Sequence, residues 1–405
     1  MRLRVFNVKF SPNLGDGLLS ECLERALVDH GADPDHTYSV DLAGRTHYTE
    51  GSSRRANVLA TLEALPAIVR TNLLRPLLIY KAETVWRPHY KKQLRNCDAV
   101  VIGGGNLFTD MDLNFPTKLA SVLSLAAQRQ LPIAIYGVGV GAKWSSAGIR
   151  MVSRALSEAD VRFVAVRDEA SRANFLSNFG AAYKGDVAVV RDPGLLIARY
   201  VASPDTNEQS PTVGVCITSA LAVRYHSAVE ISDTELANWY LGLLTELESR
   251  GIKSKLFTNG SPEDVDYATR HTTQWNGFVD GGGVFKPSTP EELARFVAGT
   301  SAVVGFRMHA LIAAASYGRR VAALRWDPKL DAFMNSIGRS DRLFSACKDE
   351  PVKLVNAIVE DLARPPEYSA DRYFADAWDS VKLCIGSLSQ ARQVTRLAHL
   401  DSKDA

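Results

Sequence analysis

The chain has 405 residues, 46% of them apolar and 23% charged, an ordinary globular composition with enough length for two domains with separate cores. A formal net charge of +2 gives no electrostatic reason to expect a nucleic-acid partner. Five cysteines, Cys22, Cys97, Cys216, Cys347 and Cys384, are scattered without a C-x-x-C spacing, which argues against a disulfide frame or a zinc site and for reduced core thiols. No run reaches the roughly 18 apolar residues of a membrane span, and the amino-terminal apolar run is too short for a signal peptide. A cytoplasmic protein is expected.

Residues 4–8 read as a first strand. The polar loop 10–16 then leads into a helix whose Leu18, Leu19, Cys22, Leu23, Ala26 and Leu27 repeat at helical period, with a stop near Gly31. Asp16 has the chemistry of an N-cap, and the Asn13-x-Gly15-Asp16 loop also lies where an α/β unit meets a ligand. Residues 70–95 carry Arg70, Arg75, Lys81, Arg87, Lys91, Lys92 and Arg95 against Glu83. Interleaved with them are Leu73, Leu74, Leu77, Leu78, Ile79, Tyr80, Trp86 and Tyr90. Such a stretch suits either an anionic membrane surface or a solvated helix face.

Residues 99–102 form a buried strand ending in Gly103-Gly104-Gly105-Asn106, where glycine lets a backbone approach a phosphate, a sugar or another loop. A helix over 119–130 and a strand over 133–136 precede a second glycine turn over 137–142, GVGVGA. That turn satisfies G-x-G-x-x-A, and the next strand-like run, 162–166, ends in Arg167-Asp168, so a nicotinamide-dependent oxidoreductase is a real alternative. Against it, the acid lies beyond the usual spacing of about 20 residues, and Trp144-Ser145-Ser146 stands where a tightly packed helix should open. Asp168-Glu169-x-Ser171 opens a helix to about Asn178. Arg167, just before it, suits an anion ligand or an ion-pair partner of Asp168 or Glu169. Asp192-Pro193-Gly194 ends this half.

The polar, proline-flanked stretch 202–211 is the domain boundary. Beyond it come a strand over 213–218, a helix capped by Ser232 and running to Arg250, a strand over 252–257 and a helix from Ser261. Thr289-Pro290-Glu291-Glu292 is a capping box that opens a helix ending at Gly299. The chain is organised around the next stretch, 302–315, AVVGFRMHALIAAA: a short apolar strand, Arg307-Met308-His309, and a small-residue helix. After a strand over 322–326, Asp327-Pro328-Lys329 forms a further polar rim, and 352–363 and 371–400 read as terminal helices. The alternation predicts an α/β protein of two Rossmann-like domains, 1–201 and 212–345, facing each other across a cleft, with a carboxyl-terminal helical segment over 346–405. Ligands of open α/β sheets sit beyond the carboxyl ends of the strands, where Arg307 and His309 fall.

In order, Asn13-x-Gly15-Asp16, Gly103-Gly104-Gly105-Asn106-Leu107-Phe108, Gly137-Val138-Gly139-Val140-Gly141, Val166-Arg167-Asp168-Glu169-x-Ser171, Asp192-Pro193, Arg307-Met308-His309-Ala310 and Asp327-Pro328-Lys329 resemble the polysaccharide pyruvyl transferase family. Met308 stands where the family more usually has leucine, a volume-conserving change. The resemblance implies a GT-B-like architecture, with the amino-terminal domain on the acceptor side and the carboxyl-terminal domain on the donor side. It also implies transfer of pyruvate from phosphoenolpyruvate onto sugar hydroxyls of an exopolysaccharide or cell-envelope precursor, usually as a ketal.

On that reading His309, Arg307 and Asp16 are the catalytic candidates. His309 is the first choice of acid or base, and Asp16 the second. Arg307 would hold one anionic group of the donor, with Lys329 or Arg167 on the other. Met308, Asn13, Gly15, Gly104, Gly105, Asn106 and Gly139 complete the expected substrate contacts. No cofactor or metal is expected, since the eight histidines and the cysteines show no ligand spacing. The expected partners are phosphoenolpyruvate, a saccharide acceptor that such an enzyme meets in lipid-linked form, and the inner face of the cell membrane. A nucleotide-sugar glycosyltransferase of the same fold and a non-catalytic sugar-binding scaffold are further alternatives.

Overall fold

The computed structural model describes residues 1–48, 67–204, 210–226, 230–278, 283–364 and 370–401. In the first half the elements are β1 (Leu3–Asn7), α1 (Leu14–Asp29), β2 (Tyr38–Asp41), α2 (Ala67–Lys81), α3 (Arg87–Gln93), β3 (Ala99–Gly103), α4 (Asn114–Ala127), β4 (Ile133–Val138), α5 (Ser146–Glu158), β5 (Val161–Val166), α6 (Glu169–Phe179) and β6 (Val187–Val189). Their strands pair in parallel in the order β2-β1-β3-β4-β5-β6. The second half contains β7 (Thr212–Cys216), α7 (Asp233–Ser249), β8 (Lys253–Phe257), α8 (Pro262–Trp275), α9 (Pro290–Ala298), β9 (Ala302–Gly305), α10 (Met308–Ser316), β10 (Arg320–Leu324), α11 (Pro328–Ser336), β11 (Leu343–Phe344), α12 (Pro351–Leu362) and α13 (Ala370–Asp401). Its sheet is again parallel, in the order β11-β10-β9-β7-β8.

Both sheets share one doubly wound order, in which the first strand sits between the second and the third. Each therefore has a switch point where successive connections leave in opposite directions and open a crevice beyond the strand ends. In the first sheet that crevice lies between β1 and β3, at the residue 8–16 loop and the Gly104-Gly105 turn. In the second it lies between β7 and β9, at Arg307.

The two halves do not keep the separate cores expected from length. Strand side chains alternate, so Val100 and Ile102 of β3 face a core shared with Tyr90, Leu119 and Phe175, whereas Ala99 and Val101 face the opposite side. That opposite side is continuous, through Leu18, Leu195, Ile312 and Val381, with the core of the second sheet. The long helix α13 seals the join. Its Trp378 packs on His30, with ring centroids 4.2 Å apart, and its Ser380 hydroxyl meets that of Tyr136 at 2.6 Å.

Several elements escaped the sequence reading. Strand β2 has only Val40 and Asp41 buried, so it lacks the apolar run of a strand; the Asp41 carboxylate holds the segment by accepting from Phe10 N, Ala43 N and Arg45. Asp327 N-caps α11, so the polar rim there is the start of a helix. Asn13, not Asp16, caps α1, and Asp16 falls within its first turn. At Thr289 the capping box is half formed: its hydroxyl accepts from Glu292 N, while the Glu292 carboxylate turns to Ser288. Within the 202–211 boundary stretch, residues 205–209 lie outside the described residues, as do the side chains of Arg70 and Leu73.

Candidate active site

The two crevices meet through α1 and α10, and the contact depends on a missing side chain. A Cβ on Gly15 would lie 2.4 Å from His309 Cβ and 2.6 Å from its Nδ1, so only glycine lets the amino terminus of α1 rest on the histidine. Asn13 fastens the same contact. Its Oδ1 caps Gly15 N at 3.1 Å and accepts from Asn259 Nδ2 at 2.8 Å, while Leu14 N donates to Asn259 O. Asn13 therefore clasps the two halves together. Gly15→Ala is expected to cost about 1–3 kcal/mol through overpacking and to lower kcat by displacing His309. Denaturant melts and steady-state rates on the same samples check this; an unchanged kcat would mean that the halves separate before turnover.

The glycine turns serve the same approach. Gly104 and Gly105 have φ of +81° and +75°, and a Cβ on Gly104 would lie 2.1 Å from Leu19 Cδ1. Side chains at these two positions would be strained, and one at Gly104 would also displace the Leu19 side chain of α1. A Cβ on Gly139 would come within 2.6 Å of both Arg167 Nη2 and Asn106 Oδ1. That glycine makes room for Arg167, whose Nη2 reaches Asn106 Oδ1 at 3.4 Å and whose Nε reaches Asp168 Oδ2 at 3.2 Å.

His309 lies in the first turn of α10, is buried, and has no hydrogen-bond partner for Nε2 among the described residues. Its Nδ1 stands 3.9 Å from Asp16 Oδ1. Burial, reinforced by the cations Arg167, Lys329 and Arg307, pushes the imidazole down to about 3, so it is neutral. Burial pushes Asp16 the other way, up to about 6, against the opposing pull of Ser11, Arg45, Lys329 and Arg307. Two groups side by side are thus driven apart in acidity, the arrangement that separates an acid from a base. Lys329 Nζ sits 2.8 Å from Asp327 Oδ2, and burial lowers its pKa. The structure thus brings Asp16, Arg167, Arg307, His309 and Lys329 into one electrostatic neighbourhood, with Met308 at its edge.

Arg307 has partners that the sequence reading did not foresee. Its Nε donates to Asp264 Oδ2 at 2.8 Å, its Nη2 lies 2.6 Å from the same oxygen and 3.1 Å from Glu263 Oε1, and its Cζ stands 5.1 Å above the Trp326 ring. Much of the fork is therefore engaged within the protein. The signal lay in Ser261-Pro262-Glu263-Asp264, which reads as a helix start; two adjacent carboxylates on one strand-end rim also call for a cation on the neighbouring rim.

Two doubly wound parallel sheets, with cations, a neutral histidine and a carboxyl group where they meet, define an enzyme of the GT-B fold. The chain belongs to the polysaccharide pyruvyl transferase family, whose model matches residues 13–328, and it is accordingly a transferase. Among solved structures it is similar to a UDP-GlcNAc 2-epimerase from Methanocaldococcus jannaschii (TM-score 0.54, 12% identity, 98% of this chain and 100% of that one). It is also similar to a putative UDP-N-acetylglucosamine 2-epimerase from Listeria monocytogenes (TM-score 0.53, 12% identity, 94% of each chain). Identities this low speak for the fold alone. No curated protein matches the sequence.

Proposed function

We propose that the protein transfers pyruvate from phosphoenolpyruvate to hydroxyl groups of a saccharide, as a ketal, in building a cell-envelope or exported polysaccharide, and that it does so without a resident cofactor. The observation that carries this reading is the convergence of three cations on one neutral histidine beside a protonatable carboxyl group. Phosphoenolpyruvate has a carboxylate and a phosphate, and Arg167 and Lys329, one from each half, suit those two groups. Arg307, held by Glu263 and Asp264, contributes positive field.

In the reaction the methylene carbon gains a proton and becomes a methyl group. An acceptor hydroxyl oxygen bonds to the adjacent carbon and loses its proton, and the bond from that carbon to the phosphate oxygen breaks. A second hydroxyl closes the ketal, so of the two hydroxyl protons one ends on the methyl group and one on phosphate. On this reading neutral His309 accepts a hydroxyl proton, and Asp16 is the proton donor for the methylene carbon. A bound dianion offsets the three cations and raises His309 again.

Specific features weigh against the alternatives. Gly137 and Val138 still belong to β4, and α5 opens only at Ser146. The glycine turn therefore lacks the adjoining helix terminus that holds a dinucleotide pyrophosphate. Arg307, the cation on the rim where a nucleotide-sugar diphosphate would need one, is already engaged by Glu263 and Asp264 in the first turn of α8. Phosphoenolpyruvate is expected to raise Tm progressively, by the equivalent of about 2.7 kcal/mol at a hundred times Kd, with no rise from NAD(H). Stabilisation by NAD(H) alone would overturn the reading.

A lipid-linked acceptor would bring the enzyme to the inner face of the membrane, and α2 with the turn after it fits peripheral contact. Leu77, Ile79, Tyr80 and Val85 are exposed beside exposed Arg75 and Lys81. Among the described residues no helix is long and apolar enough to cross a membrane. Sedimentation with phosphatidylglycerol vesicles is expected to show binding that weakens as salt rises. No binding at low ionic strength would reduce the stretch to a solvated surface.

A further inference from the structure

Between the edge strand β6, helix α11 and the carboxyl-terminal helix α13 lies a cavity of about 660 Å³. Arg167, Met308 and Lys329 line it, whereas Asp16, Arg307 and His309 do not. It therefore approaches the donor cations by a separate route. Its walls include Val189, Ile312, Ala332, Phe333 and Leu383, and α13 adds Asp376 and Asp379. Val189 and Leu383 remain 41% and 63% exposed, and both aspartates are exposed. These two side chains extend the apolar lining of the cavity out to its rim.

The size lies within the usual range for a small-molecule site. The charge pattern decides what such a molecule can be. Arg167 and Lys329 are assigned to the donor, Arg191 in the same lining is held by Asp376 of α13 at 3.4 Å, and Asp379 of α13 disfavours a further anion. One buried polar atom asks for a donor: Asp192 lines the cavity, its Oδ1 accepts from Gly194 N at 2.8 Å, and its Oδ2 is buried without a partner among the described residues. A sugar hydroxyl supplies such a donor. Moreover, α13 and almost all of α11 lie beyond residue 328, outside the stretch that the family model matches. Of the two donor cations Arg167 falls within the matched stretch and Lys329 one residue past its end, whereas the whole of α13 lies well outside it.

We propose that this cavity holds the non-reacting part of the acceptor, whose hydroxyls reach past Arg167 and Lys329 to the donor, that it selects an uncharged saccharide carrying an apolar substituent or aglycone, and that α13 is its specificity wall. The proposal rests on the pyruvyl-transfer reading. The probes are the p-nitrophenyl glycosides of glucose, galactose and N-acetylglucosamine, with p-nitrophenyl glucuronide as the charged comparison. Binding to the full chain in saturating phosphoenolpyruvate is read by saturation-transfer NMR.

Neutral glycosides are expected to bind, the glucuronide at least about tenfold more weakly, and both Ala332→Trp and Leu383→Asp to weaken the neutral probes by about tenfold or more. The shift in Tm with phosphoenolpyruvate stays unchanged in both variants. Leu383 is exposed, so its variant remains informative even if Ala332→Trp fails to fold. Neutral glycosides that do not bind, that bind no better than the glucuronide, or that bind both variants as well as the parent overturn the acceptor assignment. Absence of stabilisation by phosphoenolpyruvate in the parent chain overturns the pyruvyl-transfer reading instead, which keeps the two failures apart.

Discussion

Replacing His309 by glutamine is expected to lower kcat by about a hundredfold or more, the range for loss of a general acid or base, while stabilisation by phosphoenolpyruvate persists. Glutamine approximates the volume of the ring and keeps a polar end, so the buried contact with Gly15 survives while the titrating nitrogen is lost. Stability against pH supplies an independent check. The folded histidine is held at about 3, below the ordinary value near 6.5. Its contribution to stability is therefore complete above pH 6.5 and is lost as pH falls towards 3. His309→Gln should remove that part of the acid unfolding. Asp16, raised to about 6, has the opposite sign: its ionisation costs stability as pH rises from its unfolded value through 6. Asp16→Asn should accordingly stabilise the protein at neutral pH. If His309→Gln unfolds the chain or leaves kcat intact, the histidine is a packing residue and Asp16 is tested next.

Asp264→Ala is expected to destabilise the protein by about 3–5 kcal/mol, because removing one partner strands a buried charge. Asp264 is fully buried, and burial raises its pKa to about 6 despite Arg307. Burial works against the charged form of Arg307 as well, yet Asp264 and Glu263 leave its pKa above the ordinary arginine value. Glu263 is the more exposed partner, with a third of its side chain in contact with solvent, and cannot replace Asp264. The double variant Asp264→Leu/Arg307→Met removes both charges and should recover most of the lost stability without recovering activity. Chemical denaturation of Asp264→Leu, Arg307→Met and the double variant gives the coupling directly. If Asp264→Ala costs under 1 kcal/mol, Arg307 is then hydrated by solvent and the pair is not buried in solution.

The parts of the fold that showed in the sequence are those with a local cause. Helix α9 appears over Pro290–Ala298 because Thr289 caps it, Pro290 opens it and Gly299 ends it. Strand β9 appears because Ala302–Gly305 is short, apolar and bounded. Strand β2 and the two-residue β11 depend on neighbours for their pairing, so no local pattern marks them. The site divides in the same way. The order of short motifs brought Asp16, Arg167, Arg307, His309 and Lys329 forward, and all five lie on strand-end rims or helix starts. Their chemical states were not legible. Whether His309 is neutral depends on cations 142 residues before it and 20 after it in the chain, a matter of tertiary distance. The pairing of Arg307 with Asp264 crosses 43 residues, and the wall built by α13 needs the carboxyl-terminal helix to return over β4 and β5, which periodicity in a single helix cannot reveal.

Phosphoenolpyruvate is tested as the donor by incubating the full chain with it and a panel of neutral, lipid-linked and nucleotide-bearing saccharides, measuring inorganic phosphate and the mass of the saccharide together. Phosphate is expected to be released only when an acceptor is present, one phosphate for each pyruvyl group added, with neither product from His309→Gln. Turnover of a nucleotide sugar or of NAD(H) by the parent chain, with phosphoenolpyruvate untouched across the whole panel, would contradict that assignment.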